Sequence, residues 1–343
     1  MTRSRLVVLS SMIVVAVGVA AAVGALWLDP ARAAVGPMPA QALVLPADAR
    51  YVMGFDVKRF AASPFYARYG SRKGMRPEAL AELEAKTGLR PERDIDQIVV
   101  AGTPGARGSV PGVALVTGRF DLYKLGRVLE TESKAKGQRI EGVNVYSYDE
   151  GGRAASAVAF LDETAILFGQ KDRVEAALAS RSRSESPLRG NATLLALVEK
   201  VRPGSTFWMV GDQSILAGMP TSIPAPGAPA AEEGGAGASI SLPHLKSLTV
   251  TGDLDPQVSI AVTGEAADEA AAKNLADIVR GFVALASLQA AQKPELQQLA
   301  SAFSVATEQN RVLLTARIPY AMIDALQAKV APASPKPAPV PAK

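Results

Sequence analysis

The sequence predicts an α+β fold: two tandem related units of antiparallel sheet, with helices packed on one face. Apolar runs typical of buried strands recur in the same order in both halves of the chain, and in each half a Thr-Gly pair precedes a long helical stretch. Hydrophobic residues make up 48% of the 343 residues and aromatic residues only 5%. The core of this globular chain is therefore expected to consist mainly of Ala, Val, Leu and Ile.

The predicted strands of the two halves align with one another. Residues 51–54 align with 208–211, residues 98–102 with 248–252, and residues 116–118 with 262–264. The helices that follow place Leu125 and Ile278 on apolar stripes, so we expect both side chains to be buried against a sheet.

Each unit then continues into a hairpin and a closing helix. The hairpins are predicted at 157–168 and 303–318, and the closing helices at 171–180 and 319–330. The first unit has an extra strand at 143–148. A further helix at 191–200, with Asn191 as its N-cap, is expected to bridge the units.

Composition divides the chain into segments. A signal peptide or membrane anchor is predicted at 1–33 and a linker at 34–45, followed by the first unit at 46–200 and the second at 201–330. The second unit contains a stretch at 218–241 that is rich in Ala, Gly and Pro and is expected to be a flexible loop. Residues 331–343 are predicted to be a disordered, Pro-rich tail.

The N-terminal segment predicts export. Arg3 and Arg5 precede an uncharged run at 6–28, and small residues end the segment at Ala33. The run is long enough to span a bilayer, so the segment is either cleaved after Ala33 or kept as a single transmembrane helix. Both alternatives place the rest of the chain in the periplasm or another extracytoplasmic space.

Charge and cysteine content exclude two classes. The formal net charge at pH 7 is +4, and cleavage after Ala33 would lower it to +2 by removing Arg3, Arg5 and Arg32 together with Asp29, a charge that argues against a general nucleic-acid binder. The chain contains no cysteine, so disulfides and thiolate metal sites are excluded.

Three stretches carry a resemblance to known proteins: LPADARYVMGFDV, EAADEAAAKNLADIVRGFVAL and RVLLTARIPYAMIDAL. Through them the chain resembles a loose group of exported bacterial α+β proteins of uncharacterised function, over most of residues 43–330. The shared stretches are packing patterns. The resemblance therefore implies location and fold, and it implies no activity, cofactor or site residue.

Catalytic patterns are scarce. His244 is the single histidine and lies just before a predicted strand, so a surface or structural role is expected. Ser133 and Lys136 have the Ser-x-x-Lys spacing of some hydrolases, but they lie at the polar end of a predicted helix and no second motif accompanies them. We assign no catalytic residue.

The remaining candidates for ligand binding have simpler interpretations. The glycine-rich stretch at 102–108 leads into a strand rather than a helix, which favours a hairpin turn over a phosphate loop. Two pairs of alternating acids, Asp94 with Asp96 and Asp253 with Asp255, offer too few oxygens for calcium. No cofactor or metal is predicted.

One segment, residues 58–76, combines cations with aromatic residues and contains no acid. We call it the cationic segment. Such a segment either lies on anionic headgroups or is a solvated face whose aromatic residues are core. Its cations are Lys58, Arg59, Arg68, Arg72, Lys73 and Arg76.

Three functions compete. The first is a non-enzymatic envelope protein that acts as a binding or scaffold module, with an envelope protein or an anionic lipid as its partner. The second is a carboxylate-dependent hydrolase with its acids in a groove between the units. The third is a carrier that shelters an apolar ligand beneath the Ala-rich helix at 266–292.

Overall fold

A computed structural model describes residues 38–73, 77–104, 112–148, 155–216, 222–224, 239–241, 243–289 and 301–330. The predicted N-terminal segment, most of the predicted loop at 218–241 and the tail from residue 331 lie outside these ranges. No helix in the described ranges has the length and apolar character needed to cross a membrane.

The architecture is α+β, as predicted, and is dominated by antiparallel strands. Twelve of the described strands form a single sheet in the order β13-β14-β12-β11-β8-β1-β2-β3-β7-β6-β5-β4, and β9 pairs with β10 separately. The strands are β1 (Tyr51–Asp56), β2 (Ile95–Gly102), β3 (Gly112–Gly118), β4 (Lys136–Ile140), β5 (Val143–Tyr148), β6 (Ser156–Asp162), β7 (Ala165–Gln170), β8 (Phe207–Asp212), β9 (Ser222–Pro224), β10 (Ser239–Ser241), β11 (Leu245–Asp253), β12 (Val258–Ala266), β13 (Phe303–Glu308) and β14 (Arg311–Ile318).

The two parts of the sheet join where β1 pairs with β8. The strands are antiparallel, with Val52 opposite Val210 and Gly54 opposite Trp208. The Trp208 side chain is fully buried and lies against Gly54, where an added Cβ would be 2.5 Å from the indole ring. The junction is therefore a filled, hydrogen-bonded part of one sheet.

Helices occupy the connections between strands. They are α1 (Val57–Ala62), α2 (Pro64–Lys73), α3 (Pro77–Thr87), α4 (Pro91–Asp94), α5 (Leu122–Thr131), α6 (Lys171–Ser182), α7 (Ala192–Glu199), α8 (Glu269–Gln289) and α9 (Tyr320–Val330). Side-chain hydrogen bonds cap the N-termini of several of these helices. The predicted N-cap of α7 is confirmed, because Asn191 Oδ1 accepts a hydrogen bond from the Leu194 N–H at 3.1 Å.

Except for the exposed edge strand β4, the strands between residues 51 and 170 are covered on both faces of the sheet. On face A, Val99 and Ala101 pack in a core with α6, α7 and a 3-10 helix at Ala40–Val44. On face B, Ile98 and Val100 pack with α3 and α5. The prediction of helices on one face is therefore wrong here, because these strands are apolar at consecutive positions and need cover on both sides.

The strands after residue 206 are covered mainly on face B. There Ala272 and Ala276 of α8 are fully buried against Val312. Ile278 is only half-buried, which corrects the prediction that it is a core residue, whereas Leu125 in α5 is buried as predicted. On face A, opposed residues such as Thr249 and Thr263 remain partly exposed.

Three local predictions need correction. Ala42 and Leu45 of the predicted linker at 34–45 are fully buried in the face A core. Within the predicted loop at 218–241, the described residues form the β9-β10 pair. Ser133 and Lys136 do not share a helix, because α5 ends at Thr131 and Lys136 begins β4.

Candidate interaction surface

The cationic segment begins with two capped helices. The Asp56 carboxylate at the end of β1 accepts a hydrogen bond from the Arg59 N–H at 2.7 Å and caps α1. Burial raises the pKa of the Asp56 carboxyl, and the bond from Arg59 opposes that rise. Ser63 separates the helices: its hydroxyl accepts from the Tyr66 N–H at 3.1 Å at the start of α2, where Pro64 needs no N–H partner.

The aromatic residues of the segment pack onto other rings. The Phe60 and Tyr66 ring centroids are 5.1 Å apart, and those of Phe65 and Tyr69 are 4.7 Å apart. Phe65 also lies 6.2 Å from the ring of Tyr320 in α9. These ring contacts are typical of core residues. They favour, for this part of the segment, the alternative of a solvated face whose aromatic residues belong to the core.

Two cations of the segment are in ion pairs. Lys58 Nζ contacts a carboxylate oxygen of Asp96. Arg68 lies 3.5 Å from an oxygen of Asp324, and its guanidinium is 5.5 Å from the centre of the Tyr320 ring. Both cations are about half-exposed, so the pairs leave part of their surface to solvent.

Tyr69 ties α2 to α9. Its hydroxyl donates to Asp324 Oδ1 at 2.9 Å and lies 3.1 Å from the Tyr320 carbonyl oxygen. Burial and the bond to Asp324 raise the pKa of Tyr69 to about 12. The segment is therefore joined to the last described helix of the chain.

The other cations of the segment lie in α1, in the last turn of α2 and beyond the described part of α2. The Arg59 guanidinium is exposed and lies over Gly204, 3.5 Å from where a Cβ would be. Arg72 and Lys73 occupy the last turn of α2. Their side chains, and all of Arg76, lie outside the described residues. Five of the six predicted contact residues are thus spread along α1 and α2.

Three acids of the two predicted acid pairs form ion pairs with neighbouring cations. Asp94 binds Arg93 at 2.6 Å, and this bond lowers the pKa of Asp94. Asp96 faces Lys58, while Asp253 lies 3.5 Å from Arg202. Asp94, Asp96 and Asp253 therefore each act as the partner of a nearby cation.

The remaining sequence candidates lie apart from one another. His244 is exposed just before β11. Ser133 has a buried hydroxyl after α5, and Lys136 is exposed at the sheet edge. Of the stretch at 102–108, residues 105–108 lie outside the described ranges. Within the described residues, no group of three or more His, Cys, Asp or Glu could hold a metal ion.

The place predicted for a hydrolase groove is occupied by paired strands, whereas the apolar carrier site beneath the helix at 266–292 stays a prediction. The groove was expected between the units, where β1 and β8 instead pair directly. A cavity of about 30 Å³ lies between face B and helices α3 and α5, lined by apolar side chains such as Leu83, Phe120 and Phe160. A small-molecule site needs roughly 300 Å³ or more, so this cavity is a packing defect.

Sequence reasoning missed Asp324 and Tyr320, which complete the aromatic and ionic contacts of the segment. They are remote from it in sequence. One local signal was present: Tyr320 and Asp324 are four residues apart in a predicted helix, so they share one helix face.

Comparisons with known proteins identify no family. No family model matches the chain, and no curated protein matches it. A solved structure described as "Structure of crystal form I of TP0453" is 8% identical, with a TM-score of 0.44, and the match covers 86% of this chain and 99% of that one. A likeness this distant carries no inference about function.

Proposed function

We propose that the chain is an exported, non-enzymatic envelope protein whose two related α+β units form a binding or scaffold module. We also propose that the cationic segment contacts an anionic envelope component, with anionic lipid as the favoured partner. The observation that carries the first proposal is the β1-β8 junction, where paired strands and the buried Trp208 occupy the position predicted for a hydrolase groove.

The strand order supports two related units. Outward from the junction, one side runs β1-β2-β3-β7-β6 and the other runs β8-β11-β12-β14-β13. In each series a long helix, α5 or α8, follows the third strand, and the chain then reaches the fifth strand and returns as a hairpin to the fourth; in the first series β4 and β5 come between the helix and the fifth strand. The two series therefore follow the same path, which is the expectation for a duplicated unit.

The position of the cations supports lipid contact at one end of α2. Arg68 is engaged by Asp324 and Tyr320, so it serves the fold as well as any partner. Arg72 and Lys73 lie in the last turn of α2, and Arg76 follows three residues later. Each cation near an anionic bilayer contributes about 1 kcal/mol, and salt screens this within a Debye length of ~8 Å.

The test uses vesicle binding by the chain without residues 1–33, so that the apolar N-terminal run cannot insert. We expect the wild type to bind anionic vesicles in preference to neutral ones at low salt. Changing Arg72, Lys73 and Arg76 to Gln should weaken that binding about 100-fold, since roughly 3 kcal/mol of attraction is lost. Arg68 is kept because it holds α9.

A matched control keeps the net charge equal. Changing the exposed cations Arg181, Arg189 and Lys200 to Gln removes the same charge elsewhere and should leave most of the binding intact. Equal losses in the two triple variants would show that net charge, and not this segment, drives the contact. A wild type that does not distinguish anionic from neutral vesicles would refute the lipid proposal and leave an envelope protein as the partner to seek.

A further inference from the structure

Strand β13 forms one end of the twelve-stranded sheet, with β14 as its neighbour. In an antiparallel strand the N–H and C=O of alternate residues point to the same side. The Ala302 carbonyl accepts from the Arg317 N–H of β14 at 3.0 Å, so even-numbered residues direct their backbone groups into the sheet. Phe303, Val305 and Thr307 therefore direct theirs outward.

Arg280 of α8 occupies the middle of this edge. Its Nη2 lies 3.3 Å from the Val305 carbonyl oxygen, and its Nη1 lies 2.7 Å from Asp277 Oδ1. The first contact is independent support for Val305 facing outward. A guanidinium held on an outward carbonyl takes the acceptor that another strand would need.

The two ends of the sheet differ in chemistry. Strand β4, at the other end, is exposed and carries Lys136 and Arg139, which oppose strand addition by charge. Residues 303–307 of β13 are Phe, Ser, Val, Ala and Thr, with neither charge nor proline. Apart from Glu308 at its end, β13 therefore lacks the charged or proline side chains that protect an edge strand.

We propose that the β13 edge is a self-association surface. A second copy of this chain adds its own β13 in antiparallel orientation, and Arg280 is the side chain that blocks the addition until it moves away. With Val305 opposite Val305, each Val305 N–H donates to the carbonyl that Arg280 now occupies.

This register is self-complementary. Ser304 of one copy lies opposite Ala306 of the other, and Phe303 lies opposite Thr307. No like charges face each other within these pairs. The occupant that fits the edge without a clash of charge is thus the same strand from a second copy.

Cross-linking of the full chain in detergent tests the proposal. The chain has no cysteine, so Ala306→Cys introduces a single thiol at an exposed position. In the proposed dimer the two introduced thiols are on diagonally neighbouring residues at about 7–8 Å, within reach of a short bis-maleimide. Glu163→Cys, in the exposed turn between β6 and β7, reports random collisions.

We expect Arg280→Ala to raise dimer cross-linking at position 306 about tenfold over the parent, which corresponds to losing one hydrogen bond to a charged group. Arg280→Gln should act in the same direction. Arg311→Ala is the matched control, because Arg311 pairs with Glu308 at 3.3 Å and not with an outward carbonyl. Thr307→Pro should reverse the gain, since it removes an outward N–H and leaves the ladder to β14 intact.

Three outcomes of these cross-linking experiments would contradict the proposal. The proposal is overturned if Arg280→Ala cross-links no more than Arg311→Ala, if the parent already cross-links as strongly, or if Thr307→Pro leaves the dimer unchanged. Thermal melts of all variants ensure that the comparison is made between folded chains.

Discussion

Gly54→Ala should destabilise the fold through a single contact at the junction of the sheet. The added methyl would lie 2.5 Å from Cε2 and Nε1 of Trp208, whereas ordinary contact begins at 3.4 Å. The indole would have to shift by about 0.9 Å at a site where it is fully buried. Overpacking of this kind costs about 1–3 kcal/mol, and we expect the upper part of that range.

Gly190→Ala is the matched control. A Cβ at Gly190 would meet nothing within 4 Å, so this variant should change the free energy of unfolding by less than about 1 kcal/mol, in the stabilising direction. The measurement is urea unfolding of the chain without residues 1–33, followed by circular dichroism.

A second background isolates the contact. Trp208→Leu leaves space beside Gly54 and costs about 2–5 kcal/mol by itself. Adding Gly54→Ala to it should cost less than about 0.5 kcal/mol, because the added methyl then has room. The reasoning is refuted if Gly54→Ala is as mild as Gly190→Ala, or if its cost is the same in both backgrounds.

Two further variants test the core and an ion pair. Leu125→Asp should cost at least about 3 kcal/mol in a thermal melt because Leu125 is buried, while Tyr123→Asp on the same helix, where the side chain is 72% exposed, should cost under about 0.5 kcal/mol; similar losses would contradict the assigned face of α5. Burial acts to raise the pKa of Asp212, but hydrogen bonds from Ser214 and Arg50 outweigh it and lower the pKa. Asp212→Asn should therefore lose stability at neutral pH, and the difference from wild type should vanish as pH falls through the lowered pKa; a difference that persists in acid would exclude this linkage.

Patterns that repeat along the chain allowed most elements to be predicted. The extra strand at 143–148 coincides with β5, and Asn191 caps α7 as expected. Strand β4 was not predicted because its side chains are exposed at a sheet edge, so its sequence has no alternation of buried and exposed residues. The apolar positions at 98–101 are consecutive, a signal for burial on both faces that was available in the sequence.

Contacts between distant residues could not be predicted. The pairing of β1 with β8 depends on backbone geometry and on the packing of Trp208 against Gly54. Neither can be predicted from one sequence. The same holds for the candidate surface. Its cations were evident from composition, but the acids that pair with Lys58 and Arg68 come from β2 and α9.

The β1-β8 junction also constrains the order in which the chain can fold. Strand β1 is made early and pairs with β2, but its other edge has no neighbour until residues 207–212 have been synthesised. Through that interval, β1 presents an open edge next to apolar side chains such as Val52. A fragment that stops before β8 would keep this edge permanently, so the first half should aggregate when produced alone and recover when the second half is supplied.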